Sequence, residues 1–305
     1  MALKNPKKQH HGTFNPYPSG VFTRYESKVI GNVFLLKPLL ALLGLEDIVD
    51  NVCPLASNRA SVSVGEVCKI LVLNRLNSPR PLYRVGDWAD HVSTIDLFGI
   101  PPYLLNDDKL GRCLELLATY SGDIEALLCL KLIHDFGVSP ELVIWDSTSF
   151  YFEGAYDDSE FVTFGYAVEG RTDAKRVRIG MCMDAGADIF RTSRRRSHIE
   201  TRMRYLKSQL KVRPVLLESE MRIRGLAFVT NLALVVYCLL EHMLKQAAID
   251  ESVRELFLDF DQIALTKAKL PNGAEVSHVE NALPFHYRTL DKLGLLIGEY
   301  HRPQG

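Results

Sequence analysis

The sequence lacks any arrangement of cysteines that would hold a metal ion or a network of disulfides. Six cysteines occur in 305 residues. They are scattered, with no C-x-x-C pair and no cysteine and histidine at the spacing of metal ligands. This pattern argues against a zinc site and against a disulfide-stabilised secreted domain. We therefore expect buried, reduced thiols and a cytoplasmic location.

An excess of one charge sign is also missing. The 36 lysines and arginines balance 37 aspartates and glutamates, which leaves a net charge of -1. The molecule as a whole is therefore not a basic nucleic-acid binder, and a DNA-binding surface would have to be a local patch.

No stretch has the pattern of a signal peptide or a membrane span. Residues 1–20 contain lysine and histidine but no apolar segment, so they are predicted to be a flexible basic tail. The longest apolar run, residues 225–240, is interrupted by Thr230 and Asn231 and is shorter than the roughly 18 apolar residues that a membrane span needs. This run predicts a buried helix and no membrane partner.

Residues 21–137 show the periodicity of helices and are predicted to form an all-α domain. Ser63-x-x-Glu66 is a capping box at the start of an apolar helical pattern. A second helix is predicted to begin after Asn106, and a third to run from about Asp123 to a C-terminal Gly137.

A turn rich in helix breakers, residues 77–81, separates the first two of these helices. Three arginines lie close to it in the sequence, at Arg75, Arg80 and Arg84. Two interpretations remain open, because basic residues at helix ends are either solvated surface charges or contacts to a phosphate backbone.

Strand patterns follow after Pro140. Residues 143–152, 161–168 and 176–183 alternate in the manner of strands, and the short links between them predict an antiparallel meander. Asp146 is a lone carboxylate in the first strand. A buried carboxylate must be hydrogen-bonded, paired or bound to a metal ion, so Asp146 is either a structural acid or a metal ligand.

The segment 191–207 combines one acid with many cations. On a helix, its apolar residues form one stripe, and Arg196, Glu200, Arg204 and Lys207 form a charged stripe beside it. This pattern fits a solvated face with i,i+4 ion pairs. It also fits a metal-binding acid flanked by cations that bind phosphates.

These residues resemble a family. The spacing Arg196-x3-Glu200-x6-Lys207 is similar to the end of the Tyr-x2-Arg-x3-Glu-x6-Lys signature of bacterial insertion-sequence DDE transposases of the IS-four-type superfamily. Asp146, ahead of Thr148 and Phe152, resembles the first catalytic acid of that family. The N-terminal half resembles the helical domain that precedes the catalytic domain in one branch, through Leu73-Asn74-Arg75-Leu76, Pro79-Arg80-Pro81-Leu82-Tyr83 and Leu105-Asn106-Asp107-Asp108.

The resemblance implies an RNase H-like domain in which carboxylates hold two Mg2+ (or Mn2+) ions for DNA strand cleavage and transfer. It makes Asp146 and Glu200 the catalytic metal ligands. It also implies DNA as partner, at transposon ends and at the target, together with self-association in a bacterial cytoplasm. The DNA-binding residues would be Arg194, Arg195, Arg196, Arg204 and Lys207.

The expected fold class is α+β. It comprises the N-terminal all-α domain, a partial RNase H-like domain (138–215) with the three-stranded meander and the catalytic helix, and a C-terminal helical region (216–305) with a possible hairpin at residues 271–273.

Two departures from the family pattern predict an inactive copy. Ser193 stands where the family has tyrosine, and only residues 191–195 separate Phe190 from the predicted catalytic helix. A crossover to a further parallel strand needs roughly a dozen residues, so the second catalytic acid has no place in this chain. Asp184 and Asp188 are the nearest substitutes. We expect an internally deleted transposase without cleavage activity.

Two alternatives belong to other functional classes. The chain would be a non-catalytic DNA-binding remnant that represses transposition, or a helical interaction protein without DNA affinity. Binding to DNA with a steep salt dependence separates the first from the second.

Overall fold

The computed structural model describes residues 24–53, 62–138, 143–152, 175–184, 219–269 and 275–296. Within the two middle ranges it describes the backbone. The described part is mostly helical with small antiparallel sheets, so the expected α+β class with N-terminal and C-terminal helices is confirmed.

The N-terminal helices follow one short strand, β1 (Arg24–Val29). They are α1 (Val33–Leu43), α2 (Leu45–Val52), α3 (Val64–Asn77), α4 (Val85–His91), α5 (Thr94–Phe98), α6 (Asp107–Thr119) and α7 (Ser121–Phe136). Two further strands come next, β2 (Val143–Phe152) and β3 (Lys175–Asp184). The C-terminal elements are α8 (Glu220–Gln246), α9 (Val253–Asp259), β4 (Ala264–Lys269), β5 (Glu275–Glu280) and α10 (Pro284–Lys292).

Local signals set the ends of the N-terminal helices. The Glu66 backbone N–H donates to Ser63 Oγ (3.0 Å) and the Ser63 N–H donates to Glu66 Oε2 (2.7 Å), so the predicted capping box starts α3. Asn106 Oδ1 accepts from the Lys109 N–H at the start of α6. Helix α7 ends at Gly137, whose φ of 64° is the left-handed conformation that glycine adopts readily. These predicted boundaries are confirmed.

The N-terminal and C-terminal helices share one hydrophobic core. The cluster of buried side chains runs from Ile30 in the N-terminal part to Leu295 in the C-terminal part. Helix α8 passes through it, with Val229, Ala233 and Leu240 fully buried. Burying apolar area is the main favourable term in folding, so α8 completes the core that the N-terminal helices begin.

Helix α8 is longer than the apolar run predicted from the sequence. Among the described residues it is the one helix that is long and apolar enough to cross a membrane, yet 67% of its most apolar 18 residues is buried inside the protein. Thr230, which interrupts the run, is buried and donates through Oγ1 to the Leu226 carbonyl (2.7 Å). The prediction of a buried helix is confirmed.

Strand β1 corrects the prediction of an all-α N-terminal domain. It pairs with β4 in antiparallel fashion, Val29 opposite Ala264, and β4 pairs in turn with β5. The resulting three-stranded sheet, β1-β4-β5, joins the two ends of the described chain. β1 has a charged residue at every second position, so its sequence lacks the apolar content that predicts a strand. Its partner β4 also lies some 240 residues further along the chain.

A second, two-stranded sheet pairs β2 directly with β3. The ladder is antiparallel and runs from Val143 opposite Asp184 to Phe152 opposite Lys175. The predicted meander placed a strand at residues 161–168 between these two strands in the sheet. The direct pairing of β2 with β3 shows that this predicted strand order is wrong. Residues 161–168 themselves lie outside the described residues. All three segments alternate alike, and alternation does not reveal which strand pairs with which.

Candidate nucleic-acid interface

The first predicted catalytic residue lies inside the two-stranded ladder. Asp146 is opposite Met181, and Asp184 is opposite Val143. Val143 and Asp146 are three positions apart, and an odd offset along a strand changes the face of the sheet. Asp184 therefore belongs to the face of the ladder opposite to that of Asp146.

The other predicted site residues lie in parts of the chain that the structure does not describe. Glu200 and the predicted DNA-binding cations lie outside the described residues: Arg194, Arg195, Arg196, Arg204 and Lys207. So does Asp188. Among the residues that the structure describes, no group of three or more histidine, cysteine, aspartate or glutamate side chains is arranged to hold a metal ion.

The turn after α3 is the best defined polar feature of the helical part. Asn74 is completely buried near the end of α3 and organises this turn through its side-chain amide. Its Oδ1 accepts from Arg75 Nη2 (2.6 Å) and from the Arg80 N–H (3.2 Å), and its Nδ2 donates to the Ser78 carbonyl (3.1 Å). Buried polar atoms with all partners in place fix the local backbone in one conformation.

Arg75 belongs to this network rather than to the surface. It is 4% exposed, and its Nη2 also donates to the Arg80 carbonyl oxygen. Its Nε has no hydrogen-bond partner. Burial lowers the pKa of the Arg75 guanidinium to about 10, since the charged form loses its hydration. Arg75 is therefore neither a solvated surface charge nor exposed for contact with a phosphate backbone, so both interpretations of these arginines are wrong for Arg75.

A second chain of hydrogen bonds links the end of α3 to α1 and α4. Trp88 Nε1 donates to Asn77 Oδ1 (2.9 Å), and Asn77 Nδ2 donates to Asn32 Oδ1 (2.7 Å). Asn32 Nδ2 then donates to the Leu76 carbonyl (3.3 Å). Three elements are thereby held in a fixed relation around one depression in the surface.

That depression is a pocket of about 420 Å³, a volume within the usual range for small-ligand sites. The end of β1 reaches it because the N–H groups of Ile30 and Gly31 both donate to the Ile263 carbonyl (2.9 and 3.0 Å). This contact brings the α9–β4 turn to the pocket. The residues that line the pocket are Val29, Gly31, Asn77, Ser78, Arg80, Arg84, Asp87, Trp88, His91, Val92 and Asp261.

Two arginines, Arg80 and Arg84, and two aspartates, Asp87 and Asp261, lie among the residues that line the pocket. Arg80, Arg84 and His91 are exposed. The Arg84 Nε forms an ion pair with Asp87 Oδ2 (3.3 Å). Both backbone polar groups of Arg80 are bonded to the Asn74 and Arg75 side chains, so the Arg80 guanidinium extends from a fixed backbone. Such a donor binds a phosphate oxygen with little loss of backbone freedom.

The sequence pattern indicates Arg80 and Arg84 as candidate DNA contacts, but it does not indicate His91, Trp88 and Asp261, which also line the pocket. His91 ends α4 and Asp261 lies in the turn before β4, so these residues meet through tertiary packing. No local spacing connects them. The sequence signal for this site was the breaker-rich turn at residues 77–81, which follows Asn74 closely.

Part of the chain matches a known family model. No curated protein and no solved structure matches it. One family model, described as "Domain of unknown function (DUF4277)", matches residues 25–129. The match covers about a third of the 305 residues. It includes the Asn74 network and nearly all of the pocket, and it ends inside α7, before Asp146 and before α8.

Proposed function

We propose that this chain is a transposase of a bacterial insertion sequence by descent, which binds DNA and no longer cleaves it. The observation that carries the proposal is the match of residues 25–129 to a domain that is found at the N-terminus of transposases. The strand that carries Asp146 follows that domain in the sequence. By the resemblance, Asp146 would be the first catalytic acid. The resemblance of residues 196–207 to the transposase signature adds to it.

The acids expected near Asp146 are too few for a two-metal site. Two Mg2+ or Mn2+ ions need several carboxylate oxygens on one side of the phosphate. Asp146 and Asp184 are the acids of β2 and β3, and they belong to opposite faces. Glu200 would supply a second ligand from the predicted helix, which still leaves the set one carboxylate short. The proposed function therefore includes no metal-dependent cleavage of DNA.

DNA binding is the activity that the remaining groups support. Arg80 and Arg84 present guanidinium groups on the matched domain, at the rim of the pocket. The predicted cations at residues 194–207 would add a second basic patch. Contacts to phosphates release condensed counterions, so affinity for DNA falls steeply as salt rises. A protein that occupies transposon ends without cutting them would compete with an active relative.

The test is a cleavage and joining assay with labelled DNA from both sides of the gene for this protein. The native chain is compared with Asp146→Ala and Glu200→Ala in Mg2+ and in Mn2+. We expect salt-sensitive binding and no products from any of the three. Cleavage by the native chain that both substitutions abolish would show a working transposase with a third ligand. Absence of binding at low salt would contradict the DNA function altogether.

A further inference from the structure

The charged side chains that line the pocket cancel one another. Arg80 and Arg84 contribute two positive charges, and Asp87 and Asp261 contribute two negative charges. Arg84 is already paired with Asp87 (3.3 Å), whereas the exposed Arg80 forms no ion pair with a described residue. The lining by itself therefore gives the pocket no net charge that would favour a ligand of one sign.

Arg75 adds a positive charge directly behind this lining. Its side chain is 4% exposed, and its Nη2 donates to the Arg80 carbonyl oxygen, so the guanidinium lies against the turn at residues 77–81. Three residues of that turn line the pocket. The other hydrogen-bond partner of Arg75 is the neutral Asn74 amide (2.6 Å), and no described acid pairs with it. The pocket thus has one surplus positive charge, and that charge is buried.

A buried cation without an anionic partner is costly in a folded protein. The Arg75 guanidinium has lost its hydration, and neutral acceptors replace only part of it. Its Nε in addition has no hydrogen-bond partner. An anion bound on the outer side of the turn would offset this loss, because charges inside a protein are screened less than charges at its surface. The same field disfavours a cationic ligand.

The turn also carries donors for one phosphate group. The Arg80 guanidinium is exposed, and its backbone is held by the side chains of Asn74 and Arg75. Ser78 is half-buried and lines the pocket beside it, and its hydroxyl makes no hydrogen bond to a described residue. Guanidinium and hydroxyl groups are common donors to phosphate oxygens in protein–DNA complexes.

We propose that Ser78 and Arg80 bind one phosphate group of DNA, and that the buried Arg75 supplies, without touching it, the charge that makes this site select an anion. Arg75 is a positioning residue, since it acts through its field and through the Arg80 carbonyl oxygen that it holds. The inference rests on the proposed DNA binding and names the residue on which it depends. A side chain with no access to DNA would thus control the affinity for DNA.

The first experiment separates the charge of Arg75 from its hydrogen bonds. Affinity for one DNA duplex is measured at low salt for the native chain, Arg75→Gln and Arg75→Lys, at about pH 6, where a buried lysine keeps more of its charge. Glutamine retains an N–H donor without the charge, and lysine retains the charge without the planar guanidinium.

We expect Arg75→Gln to weaken binding by roughly three- to fiftyfold, the range for a cation about 7 Å from a phosphate. Arg75→Lys should stay within about threefold of the native chain, because its charge is kept. A purely structural role of the hydrogen bonds predicts the reverse order. Binding by Arg75→Gln that equals or exceeds binding by Arg75→Lys therefore overturns the proposal.

Inorganic phosphate tests the site without DNA. An anion that binds only the folded state raises the free energy of unfolding in urea. At constant ionic strength, phosphate should stabilise the native chain and Arg75→Lys more than Arg75→Gln. If this difference is found but the native chain binds no DNA, the anion site stands and the proposed function falls. Equal stabilisation of all three, with equal affinities for DNA or none, overturns the site.

A pair of surface variants decides the proposal if Arg75→Gln fails to fold. Asp261→Asn removes an exposed acid from the lining and should tighten DNA binding by about two- to fivefold. Asp291→Asn is its control, because Asp291 is an exposed acid on α10 that does not line the pocket. It should change the affinity less. Equal effects of the two substitutions would place the phosphate away from the pocket and overturn the proposal.

Discussion

Gly225 on α8 lies so close to Leu114 on α6 that a Cβ atom at position 225 would stand 2.1 Å from the Leu114 carbonyl oxygen. The two helices therefore touch backbone to backbone at this point. A turn away, a Cβ at Gly111 would meet the Arg222 guanidinium carbon at 2.6 Å, and Arg222 Nε donates to Glu115 Oε1 (2.8 Å). Two glycines and one ion pair thus hold α8 against α6 of the matched domain.

Gly225→Ala should destabilise the protein. The added methyl group forces α6 and α8 apart and disturbs the core between them, at a cost of about 1–3 kcal/mol or more. The free energy of unfolding in urea measures the effect. Gly122→Ala on α7 is the control, because a Cβ there meets nothing within 4 Å. That change should be neutral or stabilise by up to about 1 kcal/mol, since alanine favours the helix. Equal effects of the two substitutions would disprove the close contact.

Arg80→Ala and Arg84→Ala should each weaken DNA binding and flatten its salt dependence. A lost phosphate contact lowers the slope of log K against log salt by about one. The fold should survive Arg80→Ala, because Arg80 takes part in the Asn74 and Arg75 network through its backbone. Affinity is measured at several salt concentrations with the same duplex.

The matched control for these arginines is Arg254→Ala. Arg254 is an exposed cation on α9, and it is not among the residues that line the pocket. It should leave the affinity and the slope unchanged. Slopes that fall equally in all three variants would mean that the pocket rim has no special part in binding.

His286 should make stability fall below pH 6.5. Its Nδ1 accepts from the Leu283 N–H (2.8 Å), its Nε2 donates to the Asp259 carbonyl (3.0 Å), and its ring packs against Phe260. Burial lowers the pKa of His286 below the usual 6.5. The folded state therefore favours the neutral ring, and the unfolded state binds more protons at acid pH. The contribution is present above pH 6.5 and is lost as pH falls through the folded-state pKa.

The measurement is the free energy of unfolding between pH 8 and about pH 5 for the native chain and His286→Phe. Phenylalanine keeps a ring against Phe260 but neither accepts the Leu283 N–H nor titrates. The variant should be less stable at pH 8 and less dependent on pH below 6.5. Parallel pH profiles for the two proteins would show that other groups cause the acid sensitivity.

Ser63→Ala should cost about 1 kcal/mol of stability, because the Glu66 N–H loses its acceptor at the start of α3. Ser252 forms the same capping box with Glu255 at the start of α9. Ser252→Ala is therefore an internal comparison in an exposed setting. Urea unfolding of both variants measures the two losses. A change at Ser252 with none at Ser63 would mean that tertiary packing alone fixes the start of α3.

Signals that act within one helix could be predicted from the sequence. The Ser63 capping box, the Asn106 cap, the Gly137 end and the burial of α8 depend on neighbours a few residues away, and each is confirmed. The DNA-contact interpretation failed at Arg75 because charge alone does not show whether a guanidinium is exposed. Only its bonds to Asn74 and the Arg80 carbonyl show that it is buried.

Features that join distant segments could not be predicted. β1 is polar and finds its partner β4 across most of the chain. The pocket needs Asp261 beside Trp88, and the helix crossing needs Gly225 beside Leu114. The apolar periodicity within one helix or strand does not reveal any of these pairs. Contacts across a core depend on how the helices pack against each other, and not on the spacing of residues within each helix.

The pairing of β1 with β4 has a consequence for how the chain is made. β1 ends at Val29, and β4 ends at Lys269. At synthesis rates of about 5–20 residues per second, β1 waits roughly 12–50 s before its partner has been translated. When β1 pairs with β4, the chain between them forms one long loop. This loop includes the residues between α7 and α8 and the strand that carries Asp146. Loop-closure entropy changes by only about 0.6 kcal/mol for each doubling of loop length. Loss or gain of residues between α7 and α8 would thus change the free energy of pairing β1 with β4 by little. The length of this segment can therefore vary while the helices and the β1-β4-β5 sheet still assemble.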